Sequence, residues 1–283
     1  MTAVTAMHSL RRHWPEYLIE GWALGVFMIS AGVFATLLES PDSLARAAIH
    51  SDTLRRVLIG VAMGLTAVCL IYSPWGKRSG AHMNPAVTLA FLRLGRVQRW
   101  DALFYIAAQF IGGTVGVLIA LALLRHAFAS PPISFVATVP GPSGWSVALV
   151  AEFIISFLMM TMVLRASSST RYMRYTGLFA GLIVAIYISI EAPLSGMSMN
   201  PARSFASALP GHIWTHYWIY VLAPVAGMQS AVVIDRRLRG RAAVKCAKLV
   251  HASEQRCIFC GHEPPQRTGS NYSSSASSTG VPT

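Results

Sequence analysis

The residues most able to form specific polar contacts are two asparagines, Asn84 and Asn200, each followed by Pro and Ala. The segments around them, residues 79–91 and 195–207, match at seven of thirteen positions after a shift of 116 residues. Asparagine is a good helix N-cap, and proline suits the first helical position. Each copy therefore predicts a short helix whose start presents an amide group and the positive end of the helix dipole. Such groups can donate hydrogen bonds to a neutral solute and repel cations.

Six apolar stretches would position these asparagines. Hydrophobic residues make up 54% of the 283-residue chain and charged residues only 12%, with a mean hydropathy of +0.50. Soluble domains carry about 25% charged residues. The composition therefore predicts an all-α integral membrane protein. The predicted spans, each long enough or nearly long enough to cross a bilayer core of about 30 Å, are residues 17–38, 57–73, 102–124, 147–164, 175–190 and 217–234.

The two Asn-Pro-Ala segments follow the second and the fifth predicted span. Each is an apolar segment of about ten residues, too short to cross a bilayer, which predicts a re-entrant half-helix. With six spans, eighteen of the 23 Lys and Arg residues fall on the side that holds both termini, which predicts cytoplasmic termini. The two half-helices then enter from opposite faces, so the halves form an inverted repeat.

This topology divides the chain into five parts. We expect a cytoplasmic N-terminus (1–15), a first channel repeat (16–125), an extracellular connecting loop (126–145), a second repeat (146–235) and a basic, then Ser-rich, cytoplasmic tail (236–283). The Ser-rich segment 270–280 has the composition of a disordered segment.

The first span of each half carries one carboxylate, Glu20 and Glu152. A charge within the membrane must face the protein interior and find partners. These two residues, together with His82 of the first motif, are candidates for supporting the re-entrant loops. The carboxylates would do so by accepting hydrogen bonds from loop N–H groups. The alternative is that each Glu is a satisfied residue of the helix bundle with no such role.

The placement of charge excludes several functional classes. The net charge of +12 follows membrane topology, so a nucleic-acid partner is not expected. The spans show no nucleophile, acid–base pair or metal cluster facing a cavity, so we expect neither an enzyme nor a cofactor. A secondary transporter would also use an inverted repeat with broken helices, and it stays an alternative. The spans, however, lack a converging relay of Asp, Glu and His.

The motifs SGAHMNPAVT and SGMSMNPARS resemble the signature of the aquaporin, or major intrinsic protein, family, and the resemblance covers residues 16–235. It implies an hourglass of six transmembrane helices and two half-helices, and a homotetramer with one pore per subunit in the lipid bilayer, which we expect to be the plasma membrane. It also implies a passive channel for water, with small neutral solutes such as glycerol as further candidates, that excludes ions and protons. The signature residues are Asn84, Pro85, Ala86, Asn200, Pro201 and Ala202.

The resemblance further implies a second constriction, a selectivity filter on the outer side of the Asn-Pro-Ala meeting point. The filter candidates are Arg203, Ile188, Met197 and Met63, with Gly64 as the alternative to Met63. An unpaired arginine in the membrane is unfavourable, so Arg203 is expected to face water and to add a positive barrier. The alternative is a loop arginine that reaches the membrane surface. The chain fits neither the water-type nor the glycerol-type pattern of the family cleanly: Ile188 stands where water-type members commonly have His, whereas Ser204 resembles the water-type position.

The tail carries a cluster of residue types that bind metal. The candidate ligands are Cys246, His251, Cys257, Cys260 and His262. A Cys-x2-Cys knuckle with further Cys and His nearby offers the ligands that zinc takes tetrahedrally. The alternative is reduced cytosolic thiols on a basic tail near anionic lipid. A metal-binding tail would make the protein a solute channel with a regulatory segment.

Overall fold

The computed structural model describes residues 5–240, 243–251 and 256–263, and within them the chain forms eleven α-helices and no strand. The predicted disordered segment 270–280 lies outside the described residues. The helices are α1 (Ala6–Glu39), α2 (Leu44–Ala48), α3 (Asp52–Tyr72), α4 (Pro74–Ser79), α5 (Pro85–Arg93), α6 (Arg99–Ala129), α7 (Trp145–Ser167), α8 (Thr176–Ile190), α9 (Ala192–Ser195), α10 (Pro201–Gly211) and α11 (Ile219–Arg239). Short 3-10 turns occupy Ser134–Val136 and Met173–Tyr175.

Local sequence signals explain where the two short helices of the repeat begin. Asn84 and Asn200 are the N-caps of α5 and α10, as predicted, and a proline follows each of them. The preceding helices, α4 and α9, end at Gly80 and Gly196, whose φ angles of 101° and 83° are left-handed. Glycine adopts this conformation without strain, so the chain can leave each helix abruptly and approach the asparagine as an irregular loop.

Five helical segments are long and apolar enough to cross a membrane by length and composition: α1, α3, α6, α7 and the segment Met173–Ile190 that contains α8. The sixth long helix, α11, is apolar as far as Ile234 and then charged, with Asp235 and three arginines in its last turns. Large apolar side chains are exposed on the outer faces of these helices, among them Leu18, Leu65, Ile111, Leu182 and Leu222. Exposed apolar surface of this kind fits a lipid environment, so the fold is that of an integral membrane protein.

The helix contacts repeat between the two halves of the chain. In the first half α1 packs along α6, and in the second half α7 packs along α11. Across the halves, α3 packs against α8. Each half-helix packs against the last long helix of the other half, α10 on α6 and α5 on α11. The halves are therefore interlocked, and neither half-helix is held by its own half alone.

Glycines allow the close approach of α1 and α6. A Cβ atom on Gly21 would lie 2.8 Å from the carbonyl oxygen of Ala108, and one on Gly112 would overlap the Gly21 backbone. Gly25 and Gly116 face each other in the same way one turn further along. Small residues at a helix–helix contact in lipid bring the backbones together, where dispersion contacts stabilise the pair.

Two helices extend beyond the predicted spans. The helix α1 begins at Ala6, where the Thr5 side chain accepts from the His8 N–H. Asp101 accepts a hydrogen bond from Tyr17 Oη (2.7 Å) and contacts His13 Nδ1 (2.8 Å), which holds the start of α1 on α6. The helix α6 runs to Ala129, past the predicted end of the first repeat. Its backbone leaves the helical region at Arg125, where φ is 53°, so the last turn is offset from the rest of α6.

Candidate functional site: a cavity between two half-helices

A cavity of about 550 Å³ passes the N-terminal ends of both half-helices, and Asn84 and Asn200 both line it. One end of the cavity, which we call the connector end, is lined by Glu39, Asp52, Arg56, Pro132, Ile133, Val136 and Ala137. The opposite end, which we call the tail end, is lined by Val163 and Leu249. Between the ends the wall is mostly apolar, so the few polar groups that face the cavity determine what can hydrogen-bond inside it.

The two asparagine amides are bonded reciprocally across the centre of the molecule. Each side-chain oxygen caps its own helix, accepting from the backbone N–H two residues further on at 2.8 and 3.1 Å. Asn84 Nδ2 donates to the Met199 carbonyl at 2.7 Å, and Asn200 Nδ2 donates to the Met83 carbonyl at 2.7 Å. Each cap is thereby tied to the re-entrant loop of the other half. The arrangement brings both positive helix ends to the same part of the cavity.

The other four signature residues form the first turns of the half-helices. Pro85 and Pro201 occupy the first helical position, where the missing N–H leaves no intrahelical bond unmade. Ala86 and Ala202 are fully buried. A larger side chain at either position would need space that the packed half-helices do not offer.

Glu20 holds the first re-entrant loop through both carboxylate oxygens. Its Oε1 accepts from the Ser79 hydroxyl (2.8 Å) and the His82 N–H (3.0 Å), and its Oε2 accepts from the Met83 N–H (2.6 Å) and Gln109 Nε2 (2.9 Å). The loop is irregular, so its N–H groups have no partners within a helix. The buried carboxylate supplies acceptors for two of them.

Glu152 makes the equivalent contacts in the second half. Its Oε1 accepts from the Ser195 hydroxyl (2.8 Å) and the Ser198 N–H (2.6 Å), and its Oε2 accepts from the Met199 N–H (2.7 Å). Met83 and Met199 both have left-handed backbones, with φ of 49° and 54°. This conformation is strained for a residue with a side chain, so the carboxylates hold the loops in a shape they would not adopt alone.

Two tyrosines that sequence reasoning did not assign to the site also support the loops. Tyr105 Oη donates to the Ser79 carbonyl at 2.8 Å, and Tyr220 Oη donates to the Ser195 carbonyl at 2.6 Å. The tyrosines lie on α6 and α11, the last long helix of each half. Extending the comparison of the halves beyond the Asn-Pro-Ala motifs would have found them, because they follow their serines by 26 and 25 residues.

The four predicted filter residues, Arg203, Ile188, Met197 and Met63, all line the cavity. The alternative to Met63, Gly64, lies instead in the contact between α3 and α8, where an added Cβ would meet the Gly181 backbone. Arg203 Nη1 is buried and has no hydrogen-bond partner among the residues that the structure describes. The guanidinium therefore brings a positive charge to a wall that is mostly apolar.

The segment between the halves forms part of the site, which its proline-rich sequence did not indicate. Four of its residues line the connector end of the cavity. Thr138 Oγ1 is 2.6 Å from Ser204 Oγ on α10, and the Gly141 N–H donates to the Leu194 carbonyl at 3.0 Å. These contacts fasten the connecting segment to the second re-entrant loop, so it forms one rim of the cavity.

The tail also reaches the cavity, which its sequence did not indicate. The described part of the tail buries Val244, Ala247 and Leu249 against the core, and Leu249 lines the cavity. His82 Nε2 lies 2.8 Å from the Ala247 carbonyl. A carbonyl can only accept, so Nε2 carries the proton and donates. These apolar residues of the tail lie between the charged C-terminal end of α11 and the first re-entrant loop, and they pack against the core there.

The predicted metal ligands of the tail lie close together. The ligand atoms of Cys246, His251, Cys257 and Cys260 all lie within 4.8 Å of one another. His262 is outside this group of four, and its ring packs edge-on against His251 with centroids 5.4 Å apart. Cys246 Sγ and Cys257 Sγ lie 3.4 Å apart, so one thiol can donate a hydrogen bond to the other.

Six long helices around two asparagine-capped half-helices define a helical membrane protein of the aquaporin type. The chain belongs to the major intrinsic protein family, whose model matches residues 10–234, and the predicted resemblance is thereby confirmed.

Relatives and a solved structure agree with this assignment. NIP4-1 of Arabidopsis thaliana is 38% identical over 192 residues, which are 68% of this chain and 66%, just under two thirds, of that protein. The Zea mays aquaporin NIP2-3 is 36% identical over 230 residues, 80% of this chain and 73% of the relative. The X-ray structure of the aquaglyceroporin from Plasmodium falciparum aligns with a TM-score of 0.65 and 19% identity, covering 82% of this chain and 98% of that one. This likeness confirms the predicted fold class.

Proposed function

We propose that this protein is a passive transmembrane channel for water and small neutral solutes such as glycerol. The observation that carries the proposal is the cavity lined by Asn84 and Asn200, whose amides meet where the two half-helices begin. Each amide has two N–H donors, and one of them is used in the bond across the centre. The second donor on each amide is available to the oxygen of a solute that passes the centre.

Ions are excluded by charge and by the lack of hydrating groups. Two helix N-termini, each equivalent to about half a positive charge, and Arg203 all act on the same cavity. The apolar wall offers few oxygens to replace the water shell of a cation, so dehydration is not compensated. A neutral solute avoids both penalties.

The predicted filter favours solutes with both polar and apolar edges. Arg203 can donate to a hydroxyl group, while Met63, Ile188 and Met197 offer apolar contact on the rest of the wall. Glycerol has hydroxyl groups on one edge and C–H groups on the other, so it can use both types of contact. Water needs only the hydrogen-bond donors on the wall and makes no use of the apolar contacts. The proposed activity involves no covalent step and needs no cofactor.

The test is stopped-flow light scattering on proteoliposomes, with water and glycerol permeability measured in the same vesicles. We expect both permeabilities to exceed those of protein-free vesicles. The fluxes should rise linearly with the solute gradient and should not depend on proton or sodium gradients. Saturation together with dependence on such a gradient would favour the alternative, a secondary transporter.

A pair of variants on one helix links the permeability to the cavity. Val184 of α8 lines the cavity, whereas Leu182 of the same helix is 59% exposed on the outer face. Val184→Trp is expected to lower the permeability to water and glycerol at least severalfold, because the indole occupies the cavity. Leu182→Trp adds the same side chain toward lipid and should leave permeability unchanged. Equal effects of the two variants would contradict the assignment of the cavity as the solute path.

We also propose a homotetramer in the plasma membrane with both termini in the cytoplasm. The uneven distribution of Lys and Arg supports this orientation, because positively charged loops stay on the cytoplasmic side. In this orientation the connector end of the cavity faces outward and the tail end faces the cytoplasm. Native mass spectrometry in detergent measures the subunit number, and protease access to the tail in intact cells tests the side on which it lies.

A further inference from the structure

The four ligand atoms in the tail are spaced as a tetrahedral zinc site requires. Zinc binds sulfur at about 2.3 Å and imidazole nitrogen at about 2.0 Å, so the edges of the tetrahedron measure about 3.8 Å between sulfurs and about 3.5 Å between sulfur and nitrogen. Cys246 Sγ lies 3.4 Å from Cys257 Sγ, and His251 Nε2 lies 3.2 Å from Cys260 Sγ. Small outward shifts of the side chains would open these two edges around an ion.

The backbone around Cys257 and Cys260 has the form of a metal-binding knuckle. Cys257 and Cys260 flank a two-residue turn, the spacing of a Cys-x2-Cys knuckle, and Gly261 follows with a left-handed φ of 72°. Two cysteines at this spacing on one turn can reach the same ion. The turn also closes on itself, because the Gly261 N–H donates to the Cys257 carbonyl at 3.0 Å.

The charge around the cluster fits a site of three thiolates, one imidazole and one divalent ion, which has a net charge of −1. Lys248, two residues after the candidate ligand Cys246, is 2% exposed. Its ammonium group donates to the Arg256 carbonyl at 3.1 Å, which holds it in place. A buried cation beside the cluster balances the excess negative charge that the loaded site would carry.

The same segment is attached to the first re-entrant loop. The Leu249 N–H donates to the Gly80 carbonyl at 3.2 Å, and the ring of Phe259 stacks on the ring of His82 with centroids 5.6 Å apart and planes at 10°. An added Cβ on Gly80 would lie 3.1 Å from the Phe259 ring, so the contact is tight. The knuckle and the loop that carries Asn84 therefore pack as one unit.

We propose that Cys246, His251, Cys257 and Cys260 bind one zinc ion, and that this ion holds the tail on the tail end of the cavity. Four protein ligands leave no open position, so the site is structural. Without the ion, residues 244–251 lose the cross-link to the knuckle and detach from the first re-entrant loop. The effect on transport rests on the proposed channel function: Leu249 narrows the tail end while docked, and its release widens that end.

Metal content tests the site directly. The full-length protein is produced with zinc in the medium and purified in detergent. Inductively coupled plasma mass spectrometry should then find about one zinc per chain. Cys257→Ser and Cys260→Ser should lower the content well below one. The matched control is Cys69→Ser, which removes an exposed cysteine of α3 outside the cluster and should keep the full content.

Wild-type protein provides the readout if the cysteine variants do not fold. A chromophoric chelator should remove the zinc from the folded wild type in a single phase, with a dissociation constant far below micromolar. Zinc far below one per chain in the wild type would overturn the proposal. So would a Cys246–Cys257 disulfide in the intact chain, because the two sulfurs would then be unable to bind the ion as thiolates.

Proteolysis tests the docking without relying on transport. Lys248 is buried while the tail is docked, so trypsin should cleave after it at least tenfold faster once the zinc has been chelated, and zinc should restore the protection. The same rate in both states would overturn the proposed role of the ion in docking.

Permeability tests the consequence for the channel. With chelator on both sides of the vesicle membrane, we expect the water permeability to rise severalfold and zinc to reverse the rise, with Cys69→Ser behaving as the wild type. Equal permeability in both states would overturn the proposed narrowing by Leu249. No permeability in either state would count against the proposed channel function, while zinc content and proteolysis would still decide the metal site.

Discussion

Replacing Glu152 by glutamine tests whether the buried carboxylates hold the re-entrant loops. The carboxylate accepts from three donors, the Ser195 hydroxyl and the N–H groups of Ser198 and Met199, through both of its oxygens. Glutamine keeps one oxygen and places an NH₂ group where the other was. Whichever way the amide is turned, that NH₂ group faces at least one loop N–H, and two donors then point at each other.

The size of the effect follows from the contacts that are lost. A hydrogen bond to a charged group contributes about 1.5–3 kcal/mol, and a buried N–H left without an acceptor costs about 1–3 kcal/mol. Together they lower the free energy of unfolding by about 3–5 kcal/mol, as for other broken buried pairs. At about 2–4 °C per kcal/mol for a chain of this size, the melting temperature falls by roughly 10 °C.

The assay is thermal unfolding in detergent, followed by water permeability in vesicles at a temperature where the variant is folded. Glu20→Gln should have an effect of similar size because Glu20 holds the first loop through the equivalent N–H groups. Asp42→Asn is the control, since Asp42 is an exposed carboxylate between α1 and α2. A melting temperature of Glu152→Gln equal to or above that of the wild type would refute the reasoning. It would mean that relief of the buried charge outweighs the lost acceptors.

Two further variants test the filter and the packing of α1 on α6. Arg203→Val removes the positive charge of Arg203 from the cavity wall, so larger polyols or protons should permeate at least several times faster in the vesicle assay. The exposed Arg12→Val is the control, and unchanged selectivity would reject the role of Arg203. Gly112→Val forces α1 away from α6 because the new side chain overlaps the Gly21 backbone, and overpacking of this kind should lower stability by about 1–3 kcal/mol. The exposed Ala122→Val on the same helix should melt close to the wild type, and equal melting of both valine variants would contradict the close contact.

Much of the fold followed from signals that act over a few residues. Hydropathy indicated the long helices, and the repeated Asn-Pro-Ala placed the starts of both half-helices at the residues where α5 and α10 begin. The lone carboxylates of the first spans were candidate supports because an isolated charge in lipid needs partners. The helix α1 extends beyond the first predicted span, and there His13 and Tyr17 contact Asp101, more than eighty residues away in the chain.

The sequence by itself determined that two capped half-helices exist, that the halves are related and that Arg203 breaks their symmetry. Only the tertiary structure decided that each asparagine bonds to the loop of the other half, across 115 and 117 residues. It also decided that Met63 rather than Gly64 faces the cavity and that the tail packs on the loop that carries His82. The reason is physical. Caps and apolar runs are local, whereas the partners of an irregular loop are whichever groups the packed helices bring to it.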